Sequence, residues 1–152
     1  MDFMKRAIQI AKEGVNNNGG PFGAVVVRKG KIIAESYNQV TLSNDPTAHA
    51  EVLAIRKACS MLNTFDLSGC DIYSSCEPCP MCLGAMYWAR INKLYYSATR
   101  EDAEDAGFDD SVIYKEFTLL HDDRKLITTR MKDAEALAPF ELWKSKGNKI
   151  CY

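Results

Sequence analysis

The stretch Asp71-Ile72-Tyr73-Ser74-Ser75-Cys76-Glu77-Pro78-Cys79-Pro80-Met81-Cys82-Leu83-Gly84-Ala85 reads as a short strand, a proline-marked turn and the opening of a helix. Pro80 suits the first helical turn, where its missing N–H leaves no hydrogen bond unmade. Cys79 and Cys82 then fall on neighbouring sides of that turn, where two thiolates can grip one metal ion. Upstream, Thr47-Ala48-His49-Ala50-Glu51 offers an imidazole as third ligand and, two residues on, a carboxylate the metal need not use. Three ligands plus a spare acid describe an open, catalytic zinc site better than a closed structural one.

The rest of the chain supplies a frame for such a site. Asp2 is a plausible N-cap, and Met4, Ala7, Ile8, Ala11 and Val15 recur at helical spacing, predicting a first helix over 2–15. Ala24-Val25-Val26-Val27 is a continuous apolar run, as expected of a strand buried on both faces. Lys29-Gly30 turns the chain into a second strand over 31–37, and 38–46 reads as loop. A helix opens near His49, strands follow at 71–74 and 93–97, and the cysteine helix runs from 80 to 90. Beyond it the pattern predicts a short acidic helix and loop over 100–110, a helix over 112–120, a last strand at 126–131 and a helix over 134–146. The sum is one α/β domain: a three-layer α/β/α sandwich around a mixed five-stranded sheet. Both ligand segments are expected to follow a strand and open a helix, at the sheet edge where α/β sites gather.

At 152 residues, 47% of them apolar and 26% charged, the composition is that of an ordinary soluble domain. A net charge of −1 and the lack of any Lys/Arg run give no pull toward nucleic acid or an anionic membrane. No charged-then-apolar leader and no apolar stretch of about 18 residues is present, so a cytoplasmic, non-membrane protein is expected. In that setting the six cysteines read as metal ligands or reduced thiols rather than disulfides. Cys76 is expected as a buried thiol near the site, Cys59 and Cys70 in the core, and His121 on the surface.

Two blander readings of the cysteines compete. A structural zinc knuckle needs four ligands, while the chain has two histidines, His49 and His121, and no use for Glu51 in such a site. The Cys76-x-x-Cys79-x-x-Cys82 run imitates an iron–sulfur motif, but Met86 stands where a fourth cysteine belongs. The ordered pair H-x-E and P-C-x-x-C is instead the pattern of zinc deaminases.

At these residues the chain resembles the cytidine deaminase-like superfamily, in its Pro-Cys-Pro-Met-Cys branch of tRNA adenosine deaminases and bacterial guanine deaminases. The resemblance to the guanine deaminases spans nearly the whole chain. It rests on Gly20-Pro21-Phe22-Gly23-Ala24-Val25, Ser43-Asn44-Asp45-Pro46-Thr47, Tyr87-Trp88-Ala89-Arg90, Ala106-Gly107-Phe108-Asp109-Asp110-Ser111 and the terminal Tyr152. It implies zinc on His49, Cys79 and Cys82, with Glu51 as proton shuttle. It implies Asn38 and the backbone near Ala50 hydrogen-bonding a purine base, Phe22 packing on its ring, and Trp88 shaping the pocket. Asp110 and Tyr152 would contact the purine from the far side, Asp110 with a part in protonating the leaving amine. It further implies hydrolysis of guanine to xanthine and ammonia, a step of purine catabolism, by a domain-swapped homodimer. The swapped part would be the C-terminal segment, about 130–152, with Tyr152 serving the partner's site.

Local reading alone leaves other roles open for these residues. Asn38 suits a turn, Phe22 and Trp88 a core, Asp109 and Asp110 a solvated loop or helix cap, and Tyr152 a frayed end. Two other activities also stay open: a tRNA adenosine deaminase, which would need a basic face, and a non-catalytic zinc-binding module.

Overall fold

The computed structural model describes residues 2–152 and divides them into two compact units, Met1–Ser111 and Val112–Tyr152. The first unit opens with α1 (Phe3–Asn16), whose N-cap Asp2 accepts a hydrogen bond from the Lys5 N–H. It continues through β1 (Gly23–Arg28), β2 (Lys31–Tyr37), a single turn α2 (Val40–Ser43), α3 (Ala50–Leu62), β3 (Cys70–Cys76), α4 (Pro80–Trp88), β4 (Lys93–Ala98) and α5 (Arg100–Asp105). The sheet has four strands in the order β2-β1-β3-β4. β1 runs antiparallel to both neighbours and β3 parallel to β4, so the sheet is mixed.

Alternation along β1 sorts its side chains between two cores. Val25 and Val27 pack with Ala7 and Ile10 of α1 on one face. Ala24 and Val26, with Ile72 of β3, pack against Ala50, Ala54, Ile55 and Ala58 of α3 and Met86 of α4 on the other. This two-sided burial is why the run Ala24–Val27 is apolar throughout: all four side chains are 5% exposed or less. Close approach of α1 to β1 needs a residue without a side chain, because a Cβ on Gly23 would lie 2.3 Å from the Ala7 carbonyl oxygen.

The second unit begins within α6 (Ser111–Thr118), then has a short 3₁₀ turn (His121–Asp123), irregular chain and α7 (Ala138–Ser145). No residue of these three elements is buried. The strand expected at 126–131 is absent, and the sheet accordingly has four strands among the described residues, not five. Leu126, Ile127 and Met131 are instead 79%, 90% and 88% exposed. Their β-propensity is real, but a strand exists only where its N–H and C=O groups meet a neighbour. The last helix is also shorter than expected, since Pro139 fits only its first turn and sets the start. No helix among the described residues is long and apolar enough to cross a membrane.

Candidate metal centre and its surroundings

Two helix starts make the centre. His49 is the N-cap of α3 and Cys79 the N-cap of α4, both with extended backbones (φ −69°, ψ 153° and φ −67°, ψ 167°). No side-chain capping hydrogen bond is made at either start, and the two side chains instead meet each other beside Cys82. Cys82 stands three residues into α4, the N3 position that faces an N-cap side chain across the first turn. The C-x-x-C spacing thus delivers two sulfurs to one place.

Cys79 follows β3 directly, as expected. His49 does not follow a strand: α2 and a turn intervene after β2. Asp45 shapes that turn by accepting hydrogen bonds from the Thr47 N–H (2.8 Å) and hydroxyl (2.7 Å). Those bonds hold its carboxyl below the usual carboxylate range. The Gln39 N–H donates to the Ala48 carbonyl, tying the end of β2 to the residue before His49.

His49 Nδ1 lies 3.5 Å from Cys79 Sγ and 3.4 Å from Cys82 Sγ, and the three donor atoms lie within 4.8 Å of one another. Metal–sulfur and metal–nitrogen bonds of about 2.3 and 2.0–2.1 Å at a tetrahedral angle place N and S roughly 3.6 Å apart. The side chains therefore suit one tetrahedral ion with a fourth position left open. Hydrogen bonding from the Cys82 thiol, and then the His49 ring, pulls Cys79 down to about 4. Cys82 is pushed up by Cys79, by burial and by the charge of Glu51, so the pair holds one proton that a metal would displace.

Glu51, in the first turn of α3, is 5% exposed and points into this cluster. Its Oε1 accepts a hydrogen bond from the Ser74 hydroxyl (3.0 Å) and its Oε2 one from the Cys82 thiol (3.4 Å). Burial raises its pKa, against the hydrogen bonds from Ser74 and Cys82 that favour the carboxylate. The expected ligand set and the spare carboxylate thus come together.

The outer residues are more dispersed. Asn38 is buried, and its Oδ1 accepts the Val40 N–H, the turn role that local reading allowed. Gly20 lies against this side chain: a Cβ there would stand 2.9 Å from Asn38 Cγ and Oδ1. Gly20→Ala is expected to displace the Asn38 amide from the Val40 N–H while leaving the melting temperature within a few degrees, read from a crystal structure of the variant beside a thermal melt. Ala50 is buried at the first position of α3, where its N–H has no acceptor within the helix and remains available to a ligand. Phe22 meets Phe108 edge to face, centroids 4.9 Å apart at 87°. Asp109 accepts the Ser111 N–H (2.8 Å) and closes the turn before α6. Asp110 is half-buried, its pKa raised by burial and by the charge of Cys79. Trp88 is 69% exposed and so is not a core residue of this chain, and Tyr152 is 73% exposed at the end of the second unit.

Three further features were not anticipated. Ser74 anchors Glu51, the Ser75 hydroxyl accepts the Gly23 N–H (3.0 Å), and Phe108 is the ring that meets Phe22. Ser74 had a readable signal, since it shares a strand face with core-facing Ile72 and a polar side chain there needs a partner. Cys76 is buried as expected, but it donates to the Thr99 carbonyl rather than toward the cluster. A mostly apolar cleft of about 600 Å³ runs between α1 and α5 past Phe22 and Phe108, and none of the three donor residues lines it.

Residues 1–98 match the family described as the cytidine and deoxycytidylate deaminase zinc-binding region. The chain belongs to this family. It is 55% identical to guanine deaminase from Bacillus subtilis (strain 168) over 99% of its own length and 97% of that protein's. An X-ray structure of guanine deaminase from Bacillus subtilis superposes with a TM-score of 0.97 at 55% identity, over 99% of this chain and 96% of that one. A tRNA-specific adenosine deaminase from Aquifex aeolicus is 46% identical over 63% of this chain and 64% of its own. The cytidine deaminase-like fold expected from the motifs is therefore present, with the corrected strand count.

Proposed function

We propose that this deaminase acts on guanine, hydrolysing its exocyclic amine to give xanthine and ammonia. The observation that carries the reading is the reach of the likeness. The match to guanine deaminase covers 99% of the chain, and so includes Asp110 and the terminal segment, whereas the match to the tRNA enzyme covers 63%. The net charge of −1 also offers no general attraction for a polyanion.

In this reading His49 Nδ1 and the sulfurs of Cys79 and Cys82 hold zinc. The ion supplies a water made acidic enough to ionise near neutral pH. Glu51 Oε2 would accept one proton from the attacking water and deliver it to a ring nitrogen. It would then carry the second, from the new hydroxyl on the ring carbon, to the departing amine, so that xanthine and ammonia account for both protons of the water. The Asn38 amide and the Ala50 N–H bind the edge of the base, and Phe22 lies against its ring. Asp110, whose pKa is raised by burial and by the charge of Cys79, stands on the far side of the base and helps protonate the leaving amine. Hydrogen bonds that a competing base cannot make are worth about 10⁴–10⁵ in discrimination, enough for one amino group to define the substrate.

The same reading takes the working form as a homodimer in which residues 130–152 reach the partner and Tyr152 and Trp88 contribute to the purine pocket. Support comes from the exposed apolar side chains of the second unit, among them Phe140 and Leu142, which no stable monomer surface needs. A sedimenting mass equal to one chain of 17.0 kDa would sink the dimer. A cytoplasmic location agrees with six cysteines that are all free.

The activity is tested by ammonia release from a panel of guanine, adenine, cytosine and tRNA. Guanine is expected to turn over fastest by orders of magnitude. Release from another substrate with none from guanine would overturn the assignment.

A further inference from the structure

We propose that Ser74 is a positioning residue that pins one oxygen of Glu51 so that the other is presented to the metal centre. This rests on the reading of Glu51 as the proton carrier. Ser74 sits within β3, paired with Ala24 on one side and Tyr96 on the other, and is 1% exposed. It lies on the strand face that packs against α3, in line with Ile72. A hydroxyl in an apolar row costs stability unless it is hydrogen-bonded, and its partner there is Glu51 Oε1 at 3.0 Å.

The neighbouring serine gives the contrast. The Ser75 hydroxyl accepts the Gly23 N–H and so ties β3 to the start of β1, a role in the fold. Ser74 makes no such strand-to-strand link through its side chain; its hydroxyl is directed to the carboxylate of a different element.

A carboxylate held at one oxygen keeps the orientation of the other. With Oε1 pinned, Oε2 is the oxygen that meets Cys82, one of the three donor residues. The hydroxyl can donate to Oε1 whether or not Oε2 carries a proton, because Oε1 keeps a lone pair in both states. The anchor therefore survives each half of a proton transfer and steers the proton to the oxygen nearest the reacting atoms. A hydroxyl donating to a charged, buried group is among the stronger side-chain hydrogen bonds.

The experiment compares Ser74→Ala and Ser74→Thr with the wild-type holoenzyme. Ser74→Ala is expected to lower kcat about 10- to 100-fold with KM for guanine within about twofold and zinc content per chain unchanged. Ser74→Thr, which keeps the hydroxyl, is expected to retain kcat within about threefold of wild type. A crystal structure of zinc-loaded Ser74→Ala should show the Glu51 carboxylate in more than one orientation. A Ser74→Ala enzyme with wild-type kcat, or with its loss explained by lost zinc, would overturn the proposal. So would Ala and Thr variants that fold normally and are equally slow. Failure of the underlying reading looks different: Glu51→Gln would then turn over guanine normally, or wild type would release no ammonia from it.

Discussion

Glu51→Gln is expected to cut kcat by about 10²–10⁴-fold while the protein keeps its metal, its fold and its affinity for guanine. The substitution preserves volume in a site that is 5% exposed, and the Ser74 hydroxyl can still donate to the amide oxygen. What disappears is the ability of the second atom to accept a proton and return it. Position 51 has no part in the donor set of His49, Cys79 and Cys82, so metal content is expected to stay at the wild-type level. Single-turnover ammonia release, elemental analysis and a thermal melt on the same sample check all three statements. Wild-type turnover by the variant would remove Glu51 from the chemistry.

Stripping the metal is expected to have the larger effect, reducing turnover to background, with recovery on adding one equivalent of zinc. The folded state should persist, because the two clusters built on β1 involve neither His49 nor Cys79 nor Cys82. The melting temperature should nevertheless fall, since an ion bound by the folded chain alone stabilises it by mass action. The loss should be local. Helices α3 and α4 touch at their starts through this cluster, and amide exchange there should accelerate more than in β1 and β3. A metal-free sample, verified by elemental analysis, that still deaminates at the wild-type rate would sink the metal-dependent reading.

How much of this could be read from the chain alone differs along its length. The first half was legible because local pattern and tertiary environment agree there. The apolar run of β1 is buried on both faces, and the ligand motifs sit at helix starts as Pro80 implied. The last third was less legible. Residues 126–131 have the side chains of a strand, yet strand identity depends on a partner edge that no local window reveals. Around the site, the donors were plain because metal coordination needs particular atoms at particular spacings. Ser74 and Phe108 were not, because their roles come from contacts with Glu51, 23 positions earlier, and with Phe22 on another element. Asn38 shows a third case: the turn role that its residue type allows is the one its Oδ1 plays toward Val40, and the binding role proposed for its amide nitrogen has no local sequence signature.

The two uncapped helix starts bear on how such a protein can be re-engineered. A serine, threonine, aspartate or asparagine in place of His49 or Cys79 would satisfy a first-turn amide and add about 1 kcal/mol to its helix. Any procedure that ranks substitutions by thermal stability alone would favour such changes at two of the three donors of the candidate metal centre. Screens for heat-resistant variants of this chain should therefore hold the residues that begin α3 and α4 fixed, and seek their gains on the solvent side of α1 and in the loops.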